Sequence, residues 1–189
     1  MVAFDIDGCS NTIREDAEVL AREFFKGENY TFCPEAYYLR DKFAGLSDER
    51  YHDFWSRYAL EIYDRPPRPG VKEVLDYLES KNVPVCFLSA RTADKNFYGV
   101  RTKELTENWL KKYGISRPVQ YVPKQKAQTA RQLGVTLAVE DEPEYIKQLS
   151  EVCRVLIYEM PYNIGSEGEK VHNWEEILNI IKSMDASAL

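Results

Sequence analysis

Val2-Ala3-Phe4-Asp5-Ile6-Asp7-Gly8 opens the chain as a short apolar run that ends in two aspartates and a glycine. A run of this length, stopped by Gly8, reads as a buried strand. Residues two apart in extended backbone point the same way. Asp5 and Asp7 are therefore placed to face one pocket where the strand opens into a loop. Two carboxylates held together are costly unless they bind a cation or divide acid and base work between them. Taken alone, an Asp-x-Asp pair fits a turn with solvated aspartates equally well.

The rest of the chain supplies the context. Arg65-Pro66-Pro67-Arg68-Pro69-Gly70 breaks any helix and reads as a linker. Beyond it the pattern alternates. Helices are expected at residues 71–81, 100–113, 126–133 and 143–149, with strands at 83–88, 119–122, 136–139 and 152–158. A final helix spans residues 172–184, capped by Asn173. Strands and helices alternating with short joins predict an α/β fold, a three-layer Rossmann-like parallel sheet. In such folds the carboxyl ends of neighbouring strands converge on one crevice. Ser89, Lys126 and Glu140-Asp141 each stand at the end of an expected strand or the start of the next helix. Singly they read as a turn serine, a solvated lysine and an acidic helix start. Converging with Asp5 and Asp7, they read as a site.

Between the first strand and the linker lies an insertion. Thr12 and Glu15 fit a capping box, followed by a helix with Ile13, Ala17, Leu20 and Phe24 on one face and Gly27 as its stop. Residues 34–64 are expected to be helical, with starts at Pro34 and Ser47. This stretch is rich in rings, among them Tyr51, Phe54, Trp55, Tyr58 and Tyr63. The expected organisation is a catalytic core of residues 1–10 and 66–189 with a small helical cap of residues 11–65. A cap placed there leaves the sheet where ligands bind.

Composition narrows the function. With 25 Lys and Arg against 31 Asp and Glu, the formal charge is −6, which argues against binding nucleic-acid polymers. An anionic substrate would need a metal or a lysine locally. The four cysteines, Cys9, Cys33, Cys86 and Cys153, form no CxxC pair and read as free thiols rather than a zinc site. No signal peptide and no membrane-spanning run is visible, so a cytoplasmic protein is expected. His52 and His172 lack metal-ligand spacing.

In their order and strand context, Phe4-Asp5-Ile6-Asp7-Gly8, Leu88-Ser89, Lys126 and Val139-Glu140-Asp141 resemble the haloacid-dehalogenase-like (HAD) phosphohydrolase superfamily. The second aspartate, Asp7, is what its phosphatases carry and its dehalogenases lack. More narrowly, Asp141-Glu142-Pro143, Met160-Pro161-Tyr162-Asn163, Asn173-Trp174-Glu175-Glu176-Ile177 and the inserted cap resemble the cytosolic 5′(3′)-deoxyribonucleotidases and their bacterial relatives. Two departures stand out. Cys9 replaces a small aliphatic residue, and Ser89-Ala90-Arg91 replaces a threonine-serine.

The resemblance implies a phosphomonoester hydrolase that uses Mg2+ and an aspartyl-phosphate. Asp5 would be the nucleophile. Asp7 would protonate the leaving oxygen and then activate water, which requires its pKa to be raised. Ser89 would bind a phosphoryl oxygen, and Lys126, with Lys124 as competitor, would offset negative charge. Asp5, the backbone carbonyl of Asp7, and Asp141 would hold the metal, supported by Glu140. Arg91 and Arg101 are possible substrate contacts. A nucleoside monophosphate is the expected substrate. The alternatives are a sugar phosphate, a phosphotransfer reaction and, at the far end, a non-catalytic binding module.

Overall fold

The computed structural model describes residues 1–97 and 99–184; residue 98 and residues 185–189, which the expected core includes, lie outside them. The first strand, β1, is Val2–Phe4, and a single π-type turn, Ile6–Ser10, leads out of it. The segment that follows holds helix α1 (Ile13–Phe24), strand β2 (Thr31–Phe32), helix α2 (Leu39–Lys42), strand β3 (Phe43–Ala44) and helix α3 (Asp48–Tyr63). Next come α4 (Val71–Ser80), β4 (Val85–Ser89), β5 (Asn96–Phe97), β6 (Val100–Arg101) and α5 (Thr102–Lys112). Then follow β7 (Val119–Tyr121), α6 (Lys126–Leu133), β8 (Leu137–Glu140) and α7 (Pro143–Ser150). The chain closes with β9 (Arg154–Tyr158), a 3-10 turn (Pro161–Asn163), β10 (Glu169–Val171) and α8 (Trp174–Ser183).

Six strands form one parallel sheet in the order β10-β9-β8-β1-β4-β7. The alternation of side chains along each strand sends two sets of apolar groups to opposite faces. Val2, Phe4, Phe87, Val139 and Leu156 pack with Val74 and Leu78 of α4, Trp109 of α5 and Ile177 of α8. Ala3, Cys86, Leu88, Ala138 and Ile157 pack with Ala130 of α6 and Ile146 of α7. Both faces are covered, as expected for strands that are apolar throughout. The result is the three-layer architecture the alternation predicts.

The segment after the π-type turn has a hydrophobic cluster of its own, built on Ile13, Ala21, Phe25, Phe43, Phe54 and Ile62. It differs from expectation in two ways. Helix does not run through residues 34–64. The chain makes only the short α2 before β3 pairs with β2, and the long helix starts after Ser47, whose side chain accepts from the Arg50 N–H. The capping box at Thr12 does not form either: Thr12 donates to Asp16, Asn11 Oδ1 accepts from the Ile13 N–H, and Glu15 turns to Arg68. Beyond the segment, residues 100–101 pair with 96–97 as an antiparallel hairpin, so α5 begins at Thr102.

Candidate active site

Parity along β1 fixes where Asp5 points. Ala3 faces the α6–α7 layer, and Asp5, two residues on, turns the same way. There it meets Lys126, the first residue of α6, whose Nζ donates to Asp5 Oδ1 at 2.5 Å and to Glu140 Oε2 at 2.7 Å. Lys126 is fully buried, whereas Lys124 is exposed. Glu140 ends β8, beside β1, and its other oxygen accepts from the N–H groups of Asp141 and Glu142, each at 3.1 Å. Burial raises the pKa of Asp5 and Glu140 above the ordinary carboxyl values, and the Lys126 charge works against it.

The chain turns sharply after Asp5. Gly8 has φ +104°, and a Cβ there would lie 2.2 Å from Asp141 Oδ2. Only glycine lets the backbone pass so close to that carboxylate. Arg68 donates to the Gly8 carbonyl at 2.7 Å, and Ser10 Oγ donates to the Asp5 carbonyl at 2.6 Å, pinning the turn. Asp141 is fully buried beneath it. Tyr162 donates to Asp141 Oδ2, Cys9 Sγ approaches Oδ1 at 3.5 Å, and Asn163 Nδ2 donates to the Asp141 carbonyl at 2.8 Å. The Met160-Pro161-Tyr162-Asn163 motif, which shows no chemistry as a sequence, thus holds Asp141 from behind. Trp174 has a comparable part: its Nε1 donates to the Cys9 carbonyl at 3.0 Å.

Asp5, Cys9 and Asp141 bring one potential ligand atom each within 4.8 Å of one another. Burial, then the charge of Asp5, pushes the Asp141 carboxyl upward. Two desolvated carboxylates facing each other across a glycine turn fit a hard divalent cation that takes oxygen ligands. The Cys9 thiol is held well above its usual pKa by burial and by Asp141, so it stays neutral beside them.

Asp7 does not behave as its expected role requires. Arg91 grips it with two hydrogen bonds, Nε to Oδ2 at 2.8 Å and Nη2 to Oδ1 at 2.5 Å. Burial alone would raise the Asp7 pKa, but the charge and hydrogen bonds of Arg91 outweigh it and lower the pKa below the ordinary value. The expectation of a raised pKa is therefore overturned. Arg91 also donates to Thr106 at 2.8 Å and lies 4.7 Å over the Tyr63 ring. Ser89 ends β4, buried, and its Oγ accepts from the Arg91 N–H at 3.2 Å. Arg101 is exposed on β6 and does not line the crevice; His52 and His172 are exposed as well.

Asp5 and Asp7 do share one crevice, a cavity of about 440 Å³ that Arg91, Lys95, Glu142 and Tyr145 also line. A second cavity of about 230 Å³, lined by Ile13, Ala17, Leu39, Trp55 and Lys42, adjoins it. Asp7, Arg14, Tyr37, Tyr38 and Tyr63 border both. Arg14, Tyr37 and the part played by Tyr162 are not signalled in the sequence, because a contact between distant residues leaves no periodic trace. The arrangement offers a buried carboxylate on a strand end, cations to offset charge and a ring-lined annex.

The comparisons decide the family. The sequence matches the family described as 5' nucleotidase, deoxy (Pyrimidine), cytosolic type C over residues 1–189. The chain belongs to that family. As a member it is a phosphoric monoester hydrolase of the HAD superfamily. A comparison with curated protein sequences found no match. Solved structures share the fold at low identity. A conserved haloacid dehalogenase-like protein of unknown function from Agrobacterium tumefaciens has TM-score 0.67 and 17% identity, covering 97% of both chains. A HAD family hydrolase from Deinococcus radiodurans, with bound phosphate and sodium, has TM-score 0.66 and 14% identity, covering 100% of this chain and 96% of its own. The beta-phosphoglucomutase of Clostridium difficile has TM-score 0.54 and 15% identity, covering 97% of this chain and 98% of its own.

Proposed function

We propose that this hydrolase is a 5′-nucleotidase for (deoxy)nucleoside monophosphates that works through an aspartyl-phosphate on Asp5. The observation that carries the reading is the junction of two cavities at Asp7: one holds Asp5, the other is walled by Ile13, Trp55 and three tyrosines. Phosphate and leaving group then have separate places, one beside Asp5 and Arg91 and one walled by Ile13, Ala17, Leu39 and Trp55, with the tyrosines between them. Residues 11–65 act as the cap that supplies the second.

In the first step a carboxylate oxygen of Asp5 attacks phosphorus, the P–O bond to the leaving group breaks, and the leaving oxygen takes a proton from Asp7. In the second, water attacks phosphorus, its proton passes to Asp7, and orthophosphate leaves Asp5 free. Beside Arg91, Asp7 is in the form that accepts the proton of the second step; the phosphate monoester, entering as its monoanion, brings the proton that Asp7 passes to the leaving oxygen in the first. Lys126 holds Asp5 in place and, with the Ser89 hydroxyl, stabilises charge on the phosphoryl group. Asp5 and Asp141, with the Asp7 backbone carbonyl, are the residues that would hold Mg2+, and Glu140 supports them. The metal, when bound, supplies Lewis-acid neutralisation of the phosphate and the nucleophile. Arg91 contacts substrate only at the Asp7 edge of the crevice. The family's description, cytosolic, supports a cytoplasmic location. Among the described residues no helix is long and apolar enough to cross a membrane.

The test compares kcat/KM for deoxy- and ribonucleoside monophosphates with that for hexose and triose phosphates. Preference for nucleotides supports the reading. A sugar phosphate preferred by tenfold, about 1.4 kcal/mol of transition-state binding, overturns it and leaves the general phosphatase.

A further inference from the structure

The crevice has a charge problem that its ion pairs do not solve. Lys126 is shared between Asp5 and Glu140, and Arg91 is occupied by Asp7. Both cations are thus committed to carboxylates before a phosphate dianion arrives. Arg14 is not. It sits in the first turn of α1 and borders both cavities. Its guanidinium forms no ion pair among the described residues, and its Nε is shielded from solvent without a hydrogen-bond partner. A buried, unpaired donor on a cation is costly and calls for an acceptor.

The guanidinium is nonetheless held in place. It lies 4.0 Å over the Tyr37 ring and donates to the Tyr37 hydroxyl. Tyr37 packs edge-on against Tyr162 with centroids 5.1 Å apart, and Tyr162 donates to Asp141. A planar group is therefore fixed between cap and core with part of its donor fork unused. That fork matches the oxygens of a phosphate two at a time.

We propose that Arg14 is a phosphate-binding residue, reaching from α1 to the phosphoryl oxygens of the substrate, and that Tyr37 positions it. The assignment rests on the phosphohydrolase reading of the same crevice. It makes the inserted segment a contributor to the phosphate site as well as to the leaving-group site. Phosphate itself, whatever it is esterified to, then bridges α1 and the strand ends.

The test uses the whole protein with Mg2+, the variants Arg14→Met and Arg14→Lys, and three probes: nitrophenyl phosphate, a nucleoside monophosphate and inorganic phosphate. Arg14→Met is expected to lower kcat/KM by roughly 10- to 100-fold, as for a lost charge-assisted hydrogen bond. The factor should be the same for both esters, and the affinity for inorganic phosphate, read by calorimetry, should fall comparably. Arg14→Lys should recover part of each loss, because it restores charge without the fork. A melting temperature unchanged in the absence of phosphate separates this from a folding defect; should Arg14→Met fail to fold, Arg14→Lys carries the comparison, with equal partial losses on all three probes. A loss confined to the nucleotide, or phosphate affinity unchanged in the folded variants, overturns the assignment. Wild-type protein that neither binds phosphate nor cleaves nitrophenyl phosphate overturns the phosphohydrolase reading, and this one with it.

Discussion

The crevice floor and the segment above it are organised by different forces. On the floor, at the carboxyl ends of β1 and β8, charged groups hold one another: Lys126 serves two acids, and Glu140 accepts from Lys126 and two backbone N–H groups. Above it, rings hold one another. Phe25 packs against Phe43 at 5.5 Å and Phe54 at 5.7 Å, and Phe24 against Tyr58 at 5.9 Å. Most of the segment's aromatics are thus its own core, while Tyr37, Tyr38, Trp55 and Tyr63 face the cavities. Each kind of packing carries a different property. Changes on the floor should strike turnover and stability for every substrate, and changes at the cavity rings Tyr38 and Trp55, rather than at Tyr37 and Tyr63, which lie under Arg14 and Arg91, should strike discrimination.

The sharpest way to break this division is to remove the metal. With excess chelator, hydrolysis of nitrophenyl phosphate should fall by about 10³-fold or more, since Lewis-acid stabilisation supplies several kcal/mol, and added Mg2+ should restore it. Equal rates with and without chelator would show that Asp5 and Asp141 do not need a cation. Next in size is Lys126→Met. Removing one member of a buried ion pair costs about 3–5 kcal/mol, and here it leaves two carboxylates facing each other. Urea unfolding should show that loss, and adding Glu140→Gln should recover part of it. A loss below about 1 kcal/mol would mean the floor relaxes, contrary to its buried, two-partner geometry.

The floor was legible in the sequence to an unequal degree. Alternating apolar runs place β1, β4, β8 and α6 in the chain, and the topology then brings their ends together whatever lies between. The place of Lys126 at the start of the helix leading to Glu140-Asp141 favours it over Lys124 in the sequence; its burial, which depends on where α6 packs, is visible only in the structure. The grip of Arg91 on Asp7 spans 84 residues and lowers a pKa that the expected role needs raised. No local pattern signals it, because it depends on side chains converging from two strand ends. The same holds for Arg14 and Tyr37, joined across 23 residues. In residues 34–64, helical periodicity gave way to the β2–β3 pair, because Phe43 packs into the ring cluster beside Phe25 and Phe32.

The smallest expected effect sharpens the other half of the comparison. Tyr38 borders both cavities yet is 60% exposed. Tyr38→Ala should change stability by less than about 0.5 kcal/mol. It should lower kcat/KM for a nucleoside monophosphate by roughly tenfold, within the ~1–3 kcal/mol of ring–base stacking, and leave nitrophenyl phosphate nearly unaffected. An equal loss on both substrates would place Tyr38 with the floor.

The role proposed for the buried Asp5 carboxylate is that of nucleophile. It is tested most directly by quenching the enzyme in acid during turnover and locating the phosphoryl group by mass spectrometry. One phosphoryl group is expected on the peptide that contains Asp5 and none in Asp5→Asn, whose turnover should be lost while its fold persists. Phosphate released at the normal rate by Asp5→Asn, or a phosphoryl group found on another residue, would contradict it.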